Sequence, residues 1–144
     1  MSGLHPLPPL LYEPLLEAAL REDLGRSGDI TSAAVIPAEA QAVAHLVARG
    51  EGRVAGLEIA CRAFTLLDPR VEVDFRAADG DDVAAGTVLA VVSGPARAIL
   101  SAERVALNVL GRLCGIATQT RRVVALVAGT KAKVAETRKT TPGL

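Results

Sequence analysis

A chain of 144 residues can carry one domain with a real core, and half of it is hydrophobic, mostly as Ala, Val and Leu. Aromatics make up only 2% and Trp is absent, which leaves little for a base-stacking nucleic-acid platform. Sixteen basic residues balance sixteen acidic ones, so no overall field draws in nucleic acid or an anionic membrane, and any anion site must be local.

The Pro-rich start, MSGLHPLPPLLYEP, lacks the basic front of a signal peptide, and no window reaches the about 18 apolar residues of a membrane span. A soluble, cytoplasmic protein is expected, with no nucleic-acid and no membrane partner. Residues 1–11 read as an irregular arm. Pro14 suits a first helical turn, Leu15, Leu16, Ala19 and Leu20 recur on one face, and Gly25 ends that helix. GRSGDITS (25–32) reads as a loop in which Asp29 bonds to nearby backbone.

QAVAHLVARG (41–50) alternates as a strand, with Val43, His45 and Val47 on one face and Ala44, Leu46 and Ala48 on the other. His45 in that apolar row is expected to hold a satisfied hydrogen bond rather than act as a base. Leu57, Ala60, Cys61, Phe64 and Leu67 recur as the apolar stripe of a helix. VEVDFR (71–76) is a half-buried strand, and DGDDVAAGTVLAVVSGP (79–95) reads as two short strands joined at Gly86. Helices laid against strands make an α+β domain. Cys61 and Cys114, the only cysteines, sit in apolar helical patterns and are expected to be buried, reduced thiols.

From Ser101 the pattern becomes a long helix, SAERVALNVLGRLCGIATQTRRVVALVA, with Ser101 as N-cap and Glu103 in the first turn. Ala106, Leu107, Leu110, Leu113 and Cys114 form its apolar side. Arg104, Asn108, Gly111, Gly115 and Thr118 form a small, polar row on the other side. Gly111 and Gly115 admit a close neighbour, and Gly115 equally suits a kink or a break. KAKVAET (131–137) is expected to be a strand.

The final stretch, ETRKTTPGL (136–144), places Arg138 and Lys139 among Thr137, Thr140 and Thr141 before a Pro-Gly turn. Arginine's planar fork fits a carboxylate or phosphate, and lysine adds a point charge. Adjacent strand residues point to opposite faces, so the two converge on one ligand only where a strand ends or bulges. The residues alone fit an anion-binding strand end or a solvated charged turn. No nucleophile elbow, phosphate-binding P-loop or paired metal-ligand spacing occurs, and two histidines are a poor supply for acid–base work.

Two resemblances bear on function. DGDDVAAGTVLAVV resembles the half-motif of biotinyl and lipoyl carrier domains, but the lysines, at 131, 133 and 139, lie far from it. LREDLGRSGDITS, GRVAGLEIA, SAERVALNVLGRLCGIAT and ETRKTTPGL stand in the order and spacing of quinolinate phosphoribosyltransferases, from about residue 20 onward.

That resemblance implies transfer of phosphoribosyl from phosphoribosyl pyrophosphate to quinolinate with Mg2+, yielding nicotinate mononucleotide, pyrophosphate and CO2 in NAD biosynthesis. It implies an N-terminal α/β sandwich (residues 1–108) and the first helix and strand of an incomplete α/β barrel (109–144), in a homodimer or higher homo-oligomer. Thr137, Arg138 and Lys139 would line the quinolinate pocket, and Arg104 would reach into the partner subunit's site. The family chain is roughly twice this length, as a barrel of about 200 residues requires. The Mg2+ ligands and phosphate loops are therefore expected beyond residue 144, and this chain alone is expected to be inactive and to expose apolar sheet surface that promotes association. A same-fold enzyme for another aromatic carboxylate, a molybdenum-gene-cluster homologue or a nicotinate phosphoribosyltransferase, is the alternative.

Overall fold

A computed structural model of the chain describes residues 7–137 and 139–141. The elements in order are α1 (Glu13–Leu24), α2 (Ile30–Val35), β1 (Gln41–Val47), β2 (Gly52–Arg53), α3 (Leu57–Leu67), β3 (Glu72–Phe75), β4 (Asp82–Val83), β5 (Val88–Pro95) and α4 (Ala96–Leu126). A 3-10 turn at Pro9–Leu11 precedes α1. The α+β sandwich expected from the sequence is present: one antiparallel sheet of order β1-β5-β3, helices against one face, and a small β2-β4 pair beside it.

The alternation in β1 decides which face is covered. Ala44 pairs with Val92, and Leu46 with Ala90; these point at the helices, where Leu46, Ala90 and Val92 are buried. Val43, His45 and Val47 point away and are exposed. His45 is thus a solvent-facing residue whose side chain has no hydrogen bond among the described residues, not the satisfied histidine expected, because its row is the uncovered one. Phe64 and Leu57 of α3 and Leu16 of α1 fill the core beneath the sheet. Each such side chain contributes about 1.5–3 kcal/mol on burial.

The segment 79–95 does form two short strands with Gly86 in the turn, but they do not pair with each other. β4 joins β2, whereas β5 lies between β1 and β3. The likeness to a carrier-domain hairpin therefore ends at the sequence. GDITS is not purely loop: Asp29 caps α2 by accepting from the Ser32 backbone N–H at 2.9 Å.

Helix α4 departs most from expectation. It begins at Ala96, directly after β5, where Pro95 ends the strand. Ser101 consequently lies in the second turn rather than at the N-cap, and its hydroxyl donates to Asp29 at 3.0 Å. The helix runs unbroken for 31 residues, so Gly115 marks no break. Residues 131–137 form no strand, since no described strand lies alongside to pair with them. Most of the large exposed apolar side chains of this half, among them Ile116, Val124 and Leu126, project from α4 and not from a sheet edge, with Val134 in the segment after it.

The close approaches to α4 are made by Gly52 and Gly56. A Cβ at Gly52 would stand 2.8 Å from Thr118 Oγ1; one at Gly56, where φ is +72°, would run into Leu113 Cδ1. Nothing described lies within 4 Å of a Cβ at Gly111 or Gly115. Gly56→Ala should therefore cost about 2 kcal/mol through strain and overpacking. Gly111→Ala should gain up to about 1 kcal/mol of helix propensity. Urea denaturation of the two variants reads both signs.

Candidate functional site

Arg104 sits about half a turn past Ala102, whose side chain is buried, and its own side chain is 73% exposed. Its Nη1 donates to Asp23 Oδ1 at 2.8 Å, and that carboxylate is only 20% exposed. The two residues line a recess of about 370 Å3 between α1 and α4, together with Glu22 and Asn108. Asp23 escaped the sequence reading, although a signal was present. It follows buried Leu16 and Leu20 at i+7 and i+3, and an acid on a core-facing stripe calls for a partner.

The terminal residues follow α4 rather than belonging to it. Thr137 and Lys139 are exposed, and Arg138 lies outside the described residues. Arg112 Nη2 donates to Thr141 Oγ1, which brings the chain's end back beside α4 at a recess lined by Gly111, Gly115 and Ile116. Among the described residues no hydrogen bond or ion pair joins Arg104 to Thr137 or Lys139. Of the sequence-predicted site residues that are described, Arg104 is thus not bonded to Thr137 or Lys139.

Along α4 a seam of bonds ties the helix to the β2-β4 pair. The Arg53 backbone N–H donates to Thr118 Oγ1 at 2.9 Å, and that of Ala55 to Cys114 Sγ at 3.4 Å. Asp79 accepts from the backbone N–H groups of Gly56 (2.7 Å) and Leu57 (3.0 Å), capping α3 from a distance. Asp82 Oδ1 receives Arg53 Nε at 3.0 Å and Arg121 Nε at 2.9 Å. At the other end, Arg97 donates to the carbonyls of Ile36 (2.8 Å) and Ala33 (3.0 Å), closing the C-terminus of α2.

Neither cysteine is disulfide-bonded. Burial pushes the Cys61 thiol up to about 12, so it stays protonated and inert. Cys114 is only half-buried, not fully buried as expected, and its thiol is raised by burial, with the Ala55 N–H opposing. Among the described residues no group of three or more His, Cys, Asp or Glu stands together to hold a metal ion. The described residues thus offer no ligand set for the Mg2+ that the resemblance implies. No helix among them is long and apolar enough to cross a membrane.

Residues 29–114 match the family model for the quinolinate phosphoribosyl transferase N-terminal domain, and residues 116–144 match that for the C-terminal domain. The chain belongs to the quinolinate phosphoribosyl transferase family. It is 44% identical over 135 residues to the probable nicotinate-nucleotide pyrophosphorylase (carboxylating) of Bacillus subtilis, covering 94% of this chain and 46% of that protein. A protein of the same name from Synechocystis is 42% identical over 139 residues, with 96% and 46% covered. Among solved structures, NadC from Streptococcus pyogenes superposes with a TM-score of 0.91 at 38% identity, over 96% of this chain and 49% of that one. The nicotinate-nucleotide pyrophosphorylase from Francisella tularensis gives 0.88 at 30% identity, over 99% and 51%. The chain therefore spans about half the length of the relatives it matches.

The seam has a pH signature. The hydrogen bond from Arg53, backed by the charge of Arg121 and opposed by partial burial, holds Asp82 below its ordinary value. A carboxyl with a depressed folded pKa contributes stability above its unfolded value and loses it as pH falls through the folded value. Asp82→Asn should therefore lower the melting temperature at pH 7, with the difference closing below about pH 4. Thermal melts of both chains across that range measure it.

Proposed function

We propose that this chain supplies the N-terminal half of an enzyme that transfers phosphoribosyl from phosphoribosyl pyrophosphate to quinolinate. The products are nicotinate mononucleotide, pyrophosphate and CO2, in NAD biosynthesis. Membership of the family carries the reading; the sites of Arg104 and of the terminal TRK segment give it its chemistry.

Quinolinate bears two adjacent carboxylates, and fixing both needs cations on two sides. Thr137, Arg138 and Lys139 offer one set, and Arg104 offers a planar fork of its own. Within the chain Arg104 makes no hydrogen bond or ion pair with Thr137 or Lys139, which favours Arg104 serving the site of a partner subunit in a homodimer or higher oligomer. Residues 1–108 then act as the sandwich domain that presents Arg104, and 109–144 begin the barrel. Such an enzyme would work in the cytoplasm.

With both carboxylates clamped, the ring nitrogen is held in line with the ribosyl carbon as pyrophosphate leaves, so that positioning and charge lower the barrier. The N–C bond forms as the C–O bond to pyrophosphate breaks. The positively charged ring then accepts the electron pair of the C2–carboxylate bond, CO2 departs, and C2 takes a proton. The described residues contribute no metal site to these steps, and the chain alone would be inactive for want of the remaining half.

The test uses an enzyme of the relatives' full length that carries this sequence as its first 144 residues. Arg104→Ala and Arg138→Ala should each raise the KM for quinolinate by about 10- to 100-fold, the loss of a hydrogen bond between charged groups. Mixing the two variants should restore part of the activity, because a hybrid dimer has one site retaining both arginines. Absence of restoration contradicts the shared site.

A further inference from the structure

We propose that Asp23 is the positioning residue for Arg104, an inference that rests on the function proposed above. An arginine side chain carries about 2 kcal/mol of rotamer entropy, and a mostly solvent-exposed one must lose it when it binds substrate. Asp23 removes part of that cost in advance. Its carboxylate is 80% shielded, stands on α1 between buried Leu20 and the Gly25 cap, and receives Arg104 Nη1 at 2.8 Å.

Both ends of the pair are anchored. Leu16 and Leu20 pin α1, and Ala102, Val105 and Ala106 pin α4, all of them buried in one core. Among the described residues this is the only hydrogen bond that the Arg104 side chain makes. Its Nε and Nη2 hydrogens therefore remain available, and those two groups form the edge that grips a carboxylate bidentately. Asp23 touches one amino group and leaves that edge open to the recess that Glu22 and Asn108 also line. The pair is close to neutral overall, so Arg104 recognises its ligand by fork geometry more than by net charge.

The experiment compares Asp23→Asn with its parent in the full-length enzyme that carries this sequence as its first 144 residues. The expected result is a rise of about tenfold in the KM for quinolinate, with kcat, the KM for phosphoribosyl pyrophosphate and the melting temperature little changed. Asp23→Asn should add little in an Arg104→Ala background, because the residue acts through that arginine. A quinolinate KM that is unchanged overturns the proposal. So does a lowered one, which would make Asp23 a competitor for Arg104. Should the neutral variant not fold, Asp23→Glu decides: it keeps the charge but displaces the carboxylate by one methylene, so a raised quinolinate KM supports positioning and an unchanged one overturns it. A parent without quinolinate-dependent turnover brings down the functional reading and this proposal with it. An active parent with an insensitive variant brings down the proposal alone.

Discussion

The backbone between Gly52 and Gly56 lies so close to α4 that neither glycine has room for a side chain. Thr118 and Leu113 occupy the space a Cβ would need, and Thr118 and Cys114 then bond to the backbone beside them. The contact joins the small β2-β4 pair to the distal half of the longest helix. Without it, α4 beyond Leu110 would project from the sandwich with few anchors, since its buried residues end there. The Arg53–Asp82–Arg121 group carries the same seam one turn further. The β5–α4 junction anchors the near end: Pro95 turns the strand directly into the helix, and Arg97 and Ser101 tie the first two turns to α2.

Helix α4 matters because both groups of candidate site residues depend on it. Arg104 rises from its near half, where the core packs tightly, and the terminal residues return to its middle through Arg112 and Thr141. The 31-residue helix is tied to α2 through Arg97 and Ser101 and to the β2-β4 pair through Thr118 and Arg121. The exposed apolar side chains on the distal half, Ile116 and Val124 among them, lie on the same helix.

Much of the sandwich was legible because its pattern is local. The stripe Leu57, Ala60, Cys61, Phe64 marks α3 without help, and alternation marks β1. Alternation does not say which face is covered, and so His45 was placed on the wrong side of that question. α2, with six residues, is too short for a period to register. The start of α4 was missed because no Ser, Thr, Asp or Asn stands at Pro95, while Ser101 offered a plausible cap inside the helix. Residues 131–137 have a strand's composition, but a strand exists only with a partner. The glycines show the same limit from the other side. Gly111 and Gly115 are conspicuous in a helix, yet the real close approaches belong to Gly52 and Gly56, whose partners lie some 60 residues away in the chain.

For the proposed site, residue type alone singles out the terminal TRK segment, whereas Arg104 stands out only through resemblance. Asp23 was visible only as an acid on an apolar stripe. The central claim is that these residues serve a decarboxylating phosphoribosyl transfer. The most direct measurement supplies quinolinate labelled in its 2-carboxylate, with phosphoribosyl pyrophosphate, to the full-length enzyme and counts both products. The account predicts one labelled CO2 for each pyrophosphate released, and neither product when either substrate is omitted. Pyrophosphate without CO2, or with nicotinate as the preferred acceptor, would contradict it.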